Sequence, residues 1–85
     1  MIVWKFPFPI MDDLEFQMPV GAKVLTVDMQ GANPAMWVLC DPTAKLETRR
    51  FRVAGTGHNI DYPVSYIGTF QMRGGALVFH LFERA

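Results

Sequence analysis

Apolar residues recur along this chain with a period of two and almost never with a period of 3.6, the mark of strands with one face in a core and one in water. Ile2, Trp4, Phe6 and Phe8 share one face of the opening segment, with Val3 and Lys5 on the other. Pro7 and Pro9 remove hydrogen-bond donors there, so this strand is predicted to lie at a sheet edge or to end early. Leu14, Phe16 and Met18 alternate with Glu15 and Gln17 in a second short strand. Residues 23–41 read as a hairpin in which Leu25, Val27 and Met29 face one side, residues 31–34 turn the chain, and residues 36–40 return. Asp41 and Pro42 stop the return strand, because proline has no donor and restricts the residue before it.

Residues 42–47 predict a loop with one turn of helix, since Ala44, Lys45, Leu46 and Glu47 favour helix but are too few to hold one. Residues 48–54 form a fifth strand, with Arg49, Phe51 and Val53 on one face and Arg50 and Arg52 on the other. A long connection, residues 55–65, leads to a final pair of strands, 66–72 and 76–83, joined across Arg73, Gly74 and Gly75. Six or seven strands with hairpin links predict an all-β fold, a small antiparallel β-sandwich or barrel. Residues 1–85 are predicted to be a single all-β domain with Phe16, Leu25, Val27, Phe51, Val53, Leu77, Phe79 and Leu81 in its core.

Composition narrows the function classes. Eight basic and eight acidic residues cancel, so no overall field recruits long nucleic acid or an anionic membrane. The single cysteine, Cys40, forms no internal disulfide and no CxxC pair, which points to a reducing compartment, the cytoplasm. The first residues carry neither a leader pattern nor a membrane-spanning run. Apolar residues make up 51% of the chain, slightly above the roughly 45–50% of soluble domains, and the surplus predicts a homo-oligomer or an exposed patch.

The candidate site is residues 49–59. Gly55 and Gly57 let backbone N–H groups turn toward a ligand, Thr56 offers a hydroxyl, and Arg50 and Arg52 suit bidentate contacts to phosphate. His58 lies in the same loop, and Tyr62 of a neighbouring subunit offers a ring for a base. The GxxxxGK[ST] spacing of a phosphate loop is missing. His80 falls on the face of Ala76, Val78 and Phe82 and reads as a histidine packed or hydrogen-bonded within a sheet or interface, while Cys40 shares a strand face with Met36 and Val38 and reads as a small hydrophobe. No nucleophile–base pair, metal-ligand cluster or cofactor motif is legible, so the expectation is a binding protein without catalysis, metal or cofactor.

The blocks Val3-Trp4-Lys5-Phe6-Pro7, Met18-Pro19-Val20-Gly21-Ala22-Lys23-Val24-Leu25 and Phe51-Arg52-Val53-Ala54-Gly55-Thr56-Gly57-His58, with Tyr66-Ile67-Gly68-Thr69-Phe70-Gln71 and Gly75-Ala76-Leu77-Val78-Phe79-His80, resemble a family of small proteins of tailed bacteriophages and prophages. That resemblance implies an accessory role in the host cytoplasm and carries over no site residues. Two roles fit: sequestering a small phosphate-bearing nucleotide immune signal, or inhibiting or assembling a host or phage protein through an apolar patch.

Overall fold

The computed structural model describes residues 1–85 and resolves the alternation into seven strands: β1 (Ile2–Pro7), β2 (Asp13–Pro19), β3 (Lys23–Gln30), β4 (Asn33–Cys40), β5 (Leu46–Gly55), β6 (Val64–Met72) and β7 (Leu77–Arg84). A three-residue 3-10 turn, Arg73–Gly75, joins the last two. Three strands form one antiparallel sheet in the order β1-β4-β3, and four form another in the order β2-β5-β7-β6. The fold is all-β, and the sheets stack as a small sandwich. β1 is an edge strand, a place that accommodates Pro7 at its end.

The core comes from the inner faces of the central strands. Met36, Val38 and Cys40 of β4 face Phe51 and Val53 of β5 and Leu81 of β7, all buried. Aromatic pairs lock the two sheets together: Phe6 meets Phe16 edge-on at 5.5 Å, and Phe8 meets Phe70 at 5.9 Å. Such pairs add about 0.5–1.5 kcal/mol each beyond the area they bury. Phe16 and Phe79 pack against this cluster half-buried.

Two residues expected in the core lie outside it. The β3–β4 register shifts between Val24 and Thr26, making Leu25 the extra residue of a bulge. Val24 and Val27 therefore both turn inward, and Leu25 is 47% exposed. Leu77 is 39% exposed because it opens β7, beyond the point where β5 stops pairing with it. The expected helical turn is also absent. The Asp41 carboxylate accepts hydrogen bonds from the Thr43 amide (3.0 Å) and hydroxyl (2.7 Å), which hold its pKa below the ordinary value and fix a tight turn. Leu46 and Glu47 extend β5 instead, paired with Pro19 and Met18.

Arg49 follows the predicted alternation onto the inner face of β5, at one end of the core. Its Nε and Nη2 donate to the two Glu83 carboxylate oxygens at 2.5 and 2.8 Å, and its Nη1 donates to the Ala22 carbonyl at 2.6 Å. The bond to Glu83 raises the guanidinium pKa, so Arg49 stays charged.

Three of the four edge strands are blunted. β1 carries Pro7, β3 its bulge, and β6 a second register shift between Tyr66 and Gly68. At Gly68 the two sheets approach so closely that a Cβ would stand 2.7 Å from Val27 Cγ1, so only glycine fits without displacement. The accessible surface of 5231 Å² is close to the roughly 5,100 Å² usual for a monomer of this mass. The surplus of apolar residues shows instead in which side chains are exposed. Val3, at 52%, and Leu25 lie on the outer side of the three-stranded sheet with half-buried Trp37 and Leu39. No helix is long and apolar enough to cross a membrane.

Candidate functional site

β5 leaves its sheet at Gly55, opposite Phe79, whereas β6 and β7 continue through two further rungs, Gln71–Val78 and Met72–Leu77. The unequal lengths leave an open groove of about 440 Å³, lined by Gly55, Thr56 and His58 on one side and by Ala76, Leu77, Val78 and Phe79 on the other. That volume lies in the roughly 300–1,000 Å³ range of small-molecule sites, and mostly apolar walls with a few polar groups are their usual character.

The wall on the β5 side is a tight turn. The His58 amide donates to the Gly55 carbonyl at 3.0 Å, and Gly57 supplies the positive φ of 89° that the third position of such a turn demands. The His58 ring lies against Gly55, where a Cβ would come within 3.0 Å of its Cε1. Gly55 thus sets the place of the imidazole. The Thr56 amide donates to the Val78 carbonyl at 3.3 Å, so two amides expected to face a ligand are engaged within the protein.

Beside the groove runs a chain of polar side chains. Thr56 Oγ1 lies 2.8 Å from His80 Nε2, His80 Nδ1 lies 2.9 Å from Thr69 Oγ1, and the Tyr66 hydroxyl lies 2.7 Å from Thr69 Oγ1. His80 is therefore hydrogen-bonded within its sheet, as its place among Val78 and Phe82 predicts, and it ties the groove rim to β6. Cys40 is fully buried among apolar neighbours.

The structure separates the other candidate residues from the groove. Arg50 and Arg52 share the outer face of β5, and Arg52 lies about 10 Å along the strand from Gly55. Arg50 pairs with Glu15 at 3.1 Å in the open. Arg52 pairs with Asp12 at 3.3 Å and donates to the Asn59 carbonyl at 3.1 Å, its side chain only 13% exposed beneath the connection from β5 to β6. Its Nε is buried with no partner. Tyr62 donates to Asp13 of its own chain at 2.6 Å, and the Arg84 guanidinium lies 3.7 Å from its ring centre. Burial first, and then the bond to Asp13, raise the Tyr62 pKa above the ordinary phenol value.

The groove thus unites Gly55, Thr56 and His58, with Gly57 in the turn that shapes it, and leaves out Arg50, Arg52 and Tyr62. Ala76, Leu77, Val78 and Phe79 had no signal in the sequence, because the space they line arises from the unequal ends of β5 and β7. No cluster of three or more His, Cys, Asp or Glu side chains is placed to hold a metal ion. No curated protein and no solved structure matches the chain. A family model does match it over residues 1–85, and the chain belongs to that family, the domain of unknown function DUF7352.

Proposed function

We propose that the domain binds a small nucleotide in the groove between the Gly55–His58 turn and the end of β7, and sequesters it without chemistry. The observation that carries this reading is the groove itself, whose walls set the His58 imidazole and the Thr56 hydroxyl beside apolar Leu77, Val78 and Phe79. Aromatic and apolar walls suit a flat base, and the two polar groups suit its edge or sugar. Together with the resemblance to small tailed-phage proteins, this is the profile of an accessory protein that removes a nucleotide signal in the host cytoplasm.

The test is calorimetry and amide-shift mapping against a panel of mononucleotides, cyclic dinucleotides and cyclic ADP-ribose isomers. Shifts at Gly55, Thr56, His58, Leu77 and Phe79 are expected, and saturation with no panel member shifting them rejects the reading. A second reading is favoured by the exposed apolar strip of Val3, Leu25, Trp37 and Leu39, which suits docking on another protein or on a second copy of the chain. The blunted edges of the three-stranded sheet leave that outer face as the natural contact. Loss of a captured partner on Val3→Asp plus Leu25→Asp, with groove binding absent, would favour it over the first.

A further inference from the structure

We propose that Arg73 selects the phosphate of the groove's ligand, so that the domain distinguishes phosphorylated from neutral ring-bearing compounds. The inference rests on the groove reading above and adds to it the source of positive charge.

Five arginines occur in the chain, at positions 49, 50, 52, 73 and 84. Arg49 faces Glu83, Arg50 faces Glu15, Arg52 faces Asp12 and Arg84 faces Asp13, each within ion-pair distance. Arg73 alone has no carboxylate partner, and its side chain makes no hydrogen bond. A paired guanidinium has its charge partly neutralised and some of its donors engaged, whereas an unpaired one offers its whole fork and needs only to shed water. Charge recognition therefore falls to Arg73 rather than to Arg50 and Arg52.

Its position fits that task. Arg73 follows Met72, which pairs with the groove residue Leu77, and its carbonyl accepts the amide of Ala76, another groove residue, at 3.2 Å. Arg73 thus stands on the link that leads directly into the groove wall formed by Ala76 and Leu77, just outside the lining itself. No carboxylate lines the groove to compete for it.

The backbone adds an independent indication. Arg73 has a φ of 53°, the one positive value in the chain outside glycine, and Gly74 and Gly75 follow at 63° and 94°. A Cβ is disfavoured in this left-handed conformation, which glycine adopts freely. A strained arginine with no structural partner, in a link where glycine would relax the strain, marks a side chain kept for what it binds.

The test compares adenosine 5′-monophosphate with adenosine, by calorimetry and amide shifts, on the unaltered protein, Arg73→Gly and Arg73→Lys. The unaltered protein is expected to bind the monophosphate at least about tenfold more tightly than the nucleoside, the effect of one charge-assisted contact. Arg73→Gly should erase that preference, leave adenosine binding unchanged and melt no lower than the unaltered protein. Arg73→Lys should keep part of the preference, because the charge persists without the fork. An undiminished preference in Arg73→Gly overturns the role of Arg73 while the groove reading stands. Failure of both compounds to shift groove amides in the unaltered protein overturns the groove reading and this inference together.

Discussion

Replacing Arg49 by alanine should destabilise the fold far more than removal of any other arginine. The guanidinium makes two bonds to Glu83 and a third to the Ala22 carbonyl, which joins the four-stranded sheet to the β2–β3 connection. With the two side chains 17% and 25% exposed, the pair lies between a surface ion pair, worth up to about 1 kcal/mol, and a buried one, whose breakage costs roughly 3–5 kcal/mol. Three charge-assisted bonds, partly screened at the mouth of the core, put the loss near 2–3 kcal/mol. A domain of this size holds only roughly 5–10 kcal/mol in all, and each kcal/mol shifts its melting point by about 4–8 °C. Glu83→Gln keeps one acceptor and should cost about half as much. Urea titration followed by tryptophan fluorescence, on both single variants and the double variant, gives the coupling between the two side chains. A coupling below about 0.5 kcal/mol would show that solvent screens the pair like an ordinary surface bridge, and the end-of-core role would be refuted.

Gly68→Ala should cost about 1–3 kcal/mol by forcing its new methyl against Val27 Cγ1, and Val27→Ala in the same chain should recover part of the loss in a thermal melt. Tyr62 has a raised pKa, so its neutral form supports the fold at every pH below the free-phenol value of 10.0, and that support is lost as pH rises through the folded pKa. In Tyr66→Phe, where Tyr62 alone titrates, absorbance at 295 nm should show a midpoint above 10.0 that falls on adding Asp13→Asn; an unmoved midpoint would deny the bond its role. If the outer face of the β1-β4-β3 sheet joins two copies, light scattering should give twice the 9.6 kDa chain mass, reverting to one on Val3→Asp plus Leu25→Asp. A monomer at high concentration would reject that contact.

Strand content, the faces of β5, the edge position of β1 and the shared face of Met36, Val38 and Cys40 were all legible in the sequence, because each depends on residues two apart along one strand. Side chains at i and i+2 share a face whatever lies across from them, so Arg49 had to follow Phe51 inward while Arg50 and Arg52 turned outward. Everything that required a second strand was decided by the tertiary structure. The bulge at Leu25 resets the alternation only because β4 pairs Val24 with Val38 and Thr26 with Trp37, and no local rule anticipates that slip. The partners of Arg52 and Tyr62 are Asp12 and Asp13, some 40 and 49 positions away, so their diversion from a ligand site could not be read from their own neighbourhood. The groove depends on β5 ending two rungs short of Leu77, where β7 begins, a difference between strands that meet only once the four-stranded sheet has formed.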